Sequence, residues 1–197
     1  MAAALPRLSA IQASSGDSEG PLASALALLL EPSPVLLTRL VPELARADLQ
    51  LQSYAALVDA ALEAVSRWAP SYQAQFVAGH PRIGETQALS HLSAQEQAAR
   101  ATPPEVLARL AHLNACYERR YPGLIYITFV NGRSRAEIAL EMEDKLGLEH
   151  SLSPDQPSLD AIEPVIVEGD VWLSEVSRAV GDVGNIAKSR LRSLGVD

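Results

Sequence analysis

The chain of 197 residues has few of the residues that several kinds of chemistry need. It has one cysteine, Cys116, which excludes an internal disulfide and any cysteine-rich zinc site. Aromatic residues make up only 5% of the sequence while Ala and Leu dominate, a bias that favours helices over sheets. The four histidines form no pair with the spacing of zinc ligands, so we expect no metal site.

Positive charge and long hydrophobic runs are also scarce. Lys and Arg total 16 against 24 Asp and Glu, so the formal net charge is −8 and neither nucleic acid nor an anionic membrane is an expected partner. The longest apolar run, residues 22–30, is too short to cross a bilayer. The first twenty residues lack a secretory hydrophobic region, and residues 195–197 are not a peroxisomal tripeptide. We expect a cytoplasmic location, with a peroxisomal one left open.

The remaining composition is that of a folded helical protein. Hydrophobic residues make up 48% and charged residues 20%, and the length suits one domain with a real core. Apolar side chains recur at helical spacing, most clearly in residues 51–65 and 106–117. We predict an all-α fold, a compact single-domain bundle of seven to nine short helices. The domain covers residues 21–195, and residues 1–20 form a flexible lead-in.

One segment, "LIYITFV" at residues 124–130, has the β-branched and aromatic residues of a strand. No second segment of that quality occurs, so a strand here would have no partner. We interpret the segment as a buried helix or an extended part of the core.

Three sequences predict helix starts by reciprocal capping, in which a Ser or Thr and a Glu three residues later satisfy backbone N–H groups: Ser93–Glu96, Thr102–Glu105 and Ser134–Glu137. Gln97 follows the first of them, where a capped helix commonly has an apolar residue. Ser93, Glu96 and Gln97 would then form a polar face at a helix N-terminus, whose free N–H groups attract anions. An ordinary cap and a ligand-binding face both remain open.

His80 differs from the other histidines because Pro81 follows it. The proline favours an extended conformation at His80 and so places the imidazole on a rigid exit from the preceding helix. The intrinsic pKa of imidazole lies near working pH, which suits a general acid or base. The alternative is a helix-end histidine that interacts with the last carbonyl groups of its helix and needs no function.

A second candidate loop, "NGRS", precedes another predicted helix. Asn131 and Gly132 tolerate unusual backbone angles, Arg133 brings positive charge, and Ser134 caps the helix. A glycine loop that enters a helix N-terminus can hold a carboxylate. A simple turn with a surface arginine accounts for the same residues.

Five segments carry a resemblance to one known family: "EPSPV", "AGHPRIGE", "LSAQEQ", "LNACYERRYPG" and "VNGRSRAEI". In this order and spacing they resemble the 2-oxo-4-hydroxy-4-carboxy-5-ureidoimidazoline (OHCU) decarboxylases of urate breakdown. The resemblance covers roughly residues 20–150 and is that of a fungal-like or otherwise divergent member. It departs from the family at Asn131, where several members have a basic residue, and at "YPGLIYITF", which replaces an aromatic run.

The resemblance implies an all-helical, cofactor-free and homodimeric enzyme. The family's catalytic histidine corresponds to His80, with Pro81 beside the substrate. Glu96 corresponds to a second catalytic residue, which orients the imidazole or binds the ureido group of the substrate. The implied substrate-binding residues are Pro81, Ser93, Gln97, Asn131, Gly132, Arg133, Ser134 and Arg135.

The reaction implied by the resemblance is decarboxylation of OHCU, a small ureide, to (S)-allantoin. The substrate has an imine beside the carbon that loses CO2 and so holds its own electron sink, which agrees with the lack of a cofactor motif. Three other functions remain open. They are a helical module that binds a ligand without turnover, a ureide hydrolase or isomerase on the same scaffold, and an interaction protein without a pocket.

Overall fold

A computed structural model describes residues 4–47, 49–85, 92 and 102–196. Within these residues the fold is all-α, with eight α-helices and no strand, as the sequence predicted. The helices are α1 (Leu8–Gln12), α2 (Pro21–Leu30), α3 (Val41–Arg46), α4 (Tyr54–Ser66), α5 (Pro70–Val77), α6 (Pro104–Arg120), α7 (Arg135–Leu146) and α8 (Asp170–Leu194). The same residues include a π-helical turn, Leu36–Leu40, and a 3₁₀ turn, Leu159–Ala161. None of the described helices is long and apolar enough to span a membrane.

The chain divides into two compact units. The first runs to His80 and resumes at Ser177, and the second runs from Pro81 to Val176. Helix α1 lies in the segment expected to be a flexible lead-in, and its Ile11 is buried. The domain bounds of residues 21–195 stay a prediction.

The first unit has a core made by helices that pack in chain order. Helix α2 contacts α3, α3 contacts α4, and α4 contacts α5. Because apolar side chains recur every three or four residues, each helix turns one face inward. The fully buried side chains include Leu26, Leu29, Leu36, Leu40, Leu57, Val58, Val65, Phe76, Val77 and Val183.

The second unit is built around α6 and α7, which pack against each other. Residues 124–130 between these helices form neither helix nor strand, and the first five of them, Leu124 to Thr128, are buried. The interpretation of this segment as part of the core is therefore confirmed, whereas its interpretation as a helix is wrong.

Two of the three predicted capping boxes fall on described residues. The Ser134–Glu137 capping box is present at the start of α7, and Gly147 ends that helix in a left-handed conformation with φ 69°. The Thr102–Glu105 box is not formed, because α6 begins at Pro104 with Pro103 in the N-cap position and no side-chain cap. Thr102 instead accepts a hydrogen bond of 2.8 Å from Arg135 Nη1.

Candidate functional site

His80 lies directly beyond the C-terminus of α5 and is buried, with 5% of its surface exposed. Its backbone N–H donates to Val77 O at 3.0 Å, which continues the end of the helix by one tight turn. Its ring and the Phe76 ring are arranged edge to face, with 6.5 Å between the two centroids. Neither ring nitrogen has a hydrogen-bond partner within the part of the chain that the structure describes. A buried polar group without a protein partner is uncommon and marks a candidate ligand contact.

Burial, and after it the nearby positive charge of Arg190, lower the pKa of His80 from 6.5 to about 4, against the opposing effects of Glu31 and of the Val77 backbone. The charged imidazolium is disfavoured because it would lose its hydration in this position. His80 is therefore neutral near pH 7 in the free protein. The ordinary imidazole pKa near working pH therefore does not apply to His80, although the neutral ring can still accept a proton.

A buried ion pair, Glu31 with Arg190, lies in the same unit as His80. Arg190 Nη2 is 2.6 Å from Glu31 Oε1, and the two side chains are 2% and 4% exposed. Sequence reasoning assigned no role to either residue. Arg190 stands beside Leu191 on the buried face of α8, three residues after Ala187, and a charged residue at a core position is a signal that could have found it.

The backbone before His80 packs closely on the segment that follows Glu31. A Cβ atom built on Gly79 would lie 2.9 Å from the Cβ of Ser33, closer than real Cβ atoms approach other atoms. Ser33 is itself buried, and its Oγ accepts a hydrogen bond of 3.3 Å from the N–H of Leu36. Glycine at position 79 is thus required by the close approach of two chain segments.

The residues that follow His80 are fixed to α6 in the second unit. Asn114 Nδ2 on α6 donates to Ile83 O at 3.0 Å. Arg82 forms an ion pair with Glu118. Together these contacts fix the loop that begins at Pro81.

Three of the predicted site residues, Ser93, Glu96 and Gln97, lie outside the described residues. Their predicted roles, catalytic for Glu96 and substrate-binding for Ser93 and Gln97, remain predictions from the sequence.

The predicted loop before α7 is a tight turn. Asn131 and Gly132 both have positive φ, 47° and 81°, and Arg133 N–H donates to Val130 O at 3.0 Å. Positive φ at both central residues with this hydrogen bond is the pattern of a type I′ turn, which Asn-Gly favours. Asparagine suits this position because it tolerates positive φ better than most residues.

Arg133 braces this turn from within. Its guanidinium forms an ion pair with Glu141 and donates to the Thr128 hydroxyl at 3.1 Å and to the carbonyl oxygen of Phe129. Its positive charge is therefore partly neutralised by a protein carboxylate, which weakens its case as the main partner of a substrate carboxylate.

Ser134 and Arg135 begin α7. The Ser134 hydroxyl accepts a bond of 3.2 Å from Glu137 N–H, and Glu137 Oε2 accepts one of 2.7 Å from Ser134 N–H. Partial burial lowers the pKa of Arg135. The structure thus brings the predicted residues 131–135 together at one helix N-terminus, as their sequence order requires.

The described residues include no group of three or more His, Cys, Asp or Glu side chains that could hold a metal ion. The fold, the surroundings of His80 and residues 131–135 together define the protein's class. It is a helical protein with a buried, neutral histidine and a turn that enters a helix N-terminus. The chain belongs to the OHCU decarboxylase family, whose sequence model matches residues 18–155. At the level of that family, the protein is a decarboxylase, a lyase of urate breakdown. A search of curated proteins finds no match to the chain.

Proposed function

We propose that this protein catalyses the cofactor-independent decarboxylation of OHCU to (S)-allantoin. Family membership supports the reaction class. The observation that carries the proposal for this chain is the His80 imidazole, which is buried, neutral and without a protein partner among the described residues. It stands in the His-Pro dipeptide where the resemblance puts the catalytic histidine.

The proposed reaction can be followed through its electron pairs. The C4 carbon of the substrate carries a carboxylate and a hydroxyl, and the adjacent C5 carbon is part of an imine. When CO2 leaves, its bonding pair forms a C4–C5 double bond, and the imine pair moves to the ring nitrogen, which takes a proton. The hydroxyl then loses its proton as C4 becomes a carbonyl, and C5 gains a proton. The imine is the electron sink, so the protein supplies placement and proton transfer.

His80 suits the last two proton transfers, from the C4 hydroxyl and to C5, because its ring is neutral. A neutral imidazole accepts the proton of the C4 hydroxyl and becomes an imidazolium, which is unstable in its buried position. It therefore readily returns a proton to C5. Delivery from one side of the ring yields a single enantiomer of allantoin.

The residues of the turn before α7 are proposed to bind the substrate. Gly132 is exposed and has open space around its Cα, so a ligand can approach the backbone closely. Ser134 and Arg135 lie at the positive end of the α7 dipole, which favours an anionic group such as a carboxylate. Pro81, Ser93, Glu96, Gln97, Asn131 and Arg133 keep the roles that the family resemblance implies.

We also propose that the protein is a homodimer, on the family resemblance alone. Sedimentation equilibrium should give twice the mass of one chain. A monomer mass at enzyme concentrations that show full activity would contradict the dimer without bearing on the reaction.

The reaction is tested by supplying its substrate in place, from urate with urate oxidase and hydroxyisourate hydrolase, and measuring CO2 release. The protein should accelerate the release well above its spontaneous rate. Binding of the substrate without acceleration would indicate a module that has lost turnover. Consumption of allantoin or 5-hydroxyisourate, supplied separately, would indicate a hydrolase or isomerase instead.

A further inference from the structure

We propose that Glu31 and Arg190 are positioning residues for His80, because their ion pair fixes the segment on which the Gly79–His80 backbone packs. The inference rests on the proposed function, in which His80 is the catalytic residue. Neither side chain is proposed to contact the substrate.

Arg190 holds the end of α2 through several contacts. Besides its bond to Glu31, its guanidinium donates to Leu29 O at 3.1 Å and to Leu28 O at 3.4 Å. These are carbonyl groups in the last turn of α2, which have no partner within their own helix. A planar guanidinium that binds two carbonyl groups and a carboxylate leaves this part of the chain little freedom to move.

Glu31 has an unusual backbone conformation that serves this arrangement. Its φ is 63° and its ψ is 140°, outside the regions that residues other than glycine usually occupy. This conformation ends α2, and the side chain remains buried against Arg190. Five residues later the chain forms the π-helical turn Leu36–Leu40, another feature that often occurs near functional sites. Strained backbone persists where the surrounding structure enforces it, and such positions cluster at active sites.

Ser33 transmits this fixed geometry to His80. It lies two residues after Glu31, is buried, and is held by its hydrogen bond with Leu36 N–H. Gly79 packs against Ser33 so closely that a Cβ on Gly79 would overlap it. A shift of the Glu31 segment would therefore displace the backbone next to the imidazole.

The two charges also act on the imidazole itself, in opposite directions. After burial, which is the largest effect, Arg190 lowers the pKa of His80 and Glu31 raises it. They are the charged groups of the described residues that act on the ring, and the Phe76 ring beside it is uncharged. The opposite signs separate this proposal from a purely structural one, in which the pair only closes the end of α2.

The test combines Glu31→Gln, Arg190→Gln and the double variant with both changes. Each single change leaves a buried charge without its partner and is expected to destabilise the fold. The double variant removes both charges, so it can be assayed even where a single variant does not fold. All rates are expressed per folded molecule, measured by circular dichroism. We expect kcat to fall by about 100-fold with KM near the wild-type value, because a misplaced catalytic group slows the chemical step. Arg190→Lys, which keeps the charge, should restore part of kcat.

Two matched controls come from the same molecule. Lys188→Gln removes the exposed ion pair between Lys188 and Asp59, 2.7 Å long, two residues before Arg190 on α8, and should leave kcat unchanged. Glu143→Gln breaks the ion pair of Arg109 with Glu143 in the second unit, whose side chains are 1% and 0% exposed. It reports how far the loss of a buried ion pair lowers stability without touching the surroundings of His80.

A direct measurement on His80 is independent of turnover. In a proton NMR titration, with the His80 Cε1–H signal assigned by its absence in His80→Asn, Arg190→Gln should raise the pKa of His80 and Glu31→Gln should lower it. Equal kcat in wild type and the double variant, with an unmoved His80 signal in all three variants, would overturn the proposal. If the wild type shows no decarboxylation, the proposed function fails by itself. The pKa of His80, measured from its NMR signal in the variants, then still shows whether the Glu31–Arg190 ion pair acts on the ring.

Discussion

The protonation state of a single buried side chain, His80, makes a prediction about stability. The folded pKa of about 4 lies below the ordinary value of 6.5, so between these pH values the unfolded chain binds a proton that the folded protein does not. The free energy of unfolding should therefore rise from pH 4 to pH 6.5 and become level above that pH. His80 should account for about 3 kcal/mol of this rise in the free energy of unfolding. It is measured by urea denaturation across this pH range.

The matched variant for this experiment is His80→Asn, which cannot titrate. Other titrating groups are common to both proteins, so the difference between the two stability curves isolates His80. The stability of the wild type minus that of the variant should fall as the pH drops from 6.5 to 4, because only the wild-type unfolded chain gains a proton that its folded form excludes. Parallel curves from pH 4 to pH 7 would show that His80 is not held neutral by the fold.

His80 and Glu31 illustrate which candidate site residues the sequence can reveal. His80 could be singled out as a candidate because a His-Pro dipeptide restricts the local backbone and the motif around it matches a family. The pKa of its ring was not predictable, because it depends on burial and on Arg190, which is 110 positions away in the chain. Glu31 lay inside a recognised motif, "EPSPV", but its partner follows only from the packing of α8 in the first unit.

Two helices in different units begin with a serine cap, which allows a paired test of the α7 N-terminus. Ser53 Oγ accepts from Ala56 N–H at 3.1 Å at the start of α4, and Ser134 makes the equivalent bond at the start of α7. Replacing either serine with alanine should cost about 1 kcal/mol of stability, because one backbone N–H loses its acceptor. Only Ser134→Ala should also raise KM, since Ser134 is a proposed substrate-binding residue.

Steady-state kinetics of the two alanine variants distinguish these roles. Ser53→Ala is the control for destabilisation at a helix start. If both variants keep the wild-type KM, Ser134 is only a helix cap. If both raise KM equally, the effect comes from lost stability.

Helix α8 allows a second paired test, because its two internal glycines have different surroundings. Gly181 is exposed and has open space where a Cβ would lie, so Gly181→Ala should stabilise the helix by up to about 1 kcal/mol. A Cβ on Gly184 would lie 2.3 Å from Leu62 Cδ1 on α4, so Leu62 must move. Gly184→Ala should therefore stabilise less, or destabilise. An equal rise in the thermal unfolding temperature of both variants would mean that α8 and α4 are not packed as closely as described.

The predicted helix starts were correct where apolar spacing and the cap agreed, as in α7 with Ser134. They were wrong at Thr102, because the prolines at positions 103 and 104 shift the start of α6 and leave the threonine side chain to bond Arg135. Residues 124–130 were ambiguous because β-branched residues suit any buried extended chain. Local sequence could not show that they pack without regular structure.

For the molecule as a whole, the sequence predicted the all-α class because Ala and Leu dominate and helical spacing recurs along the chain. The family followed from five short segments in a fixed order, and the match over residues 18–155 confirms it. Proximity of residues far apart in the chain, such as Glu31 and Arg190, needed the folded structure. Composition and periodicity contain no information on which helices meet.

The central claim is that this chain converts OHCU to one enantiomer of allantoin through His80. The most direct measurement is circular dichroism of urate with urate oxidase, hydroxyisourate hydrolase and this protein, compared with His80→Asn at equal folded concentration. With the wild type, an allantoin signal of one sign, that of the S enantiomer, should appear rapidly. His80→Asn should abolish this rapid phase. Slow formation of racemic allantoin with the wild type, or equal rates with and without His80, would contradict the conversion of OHCU to one enantiomer through His80.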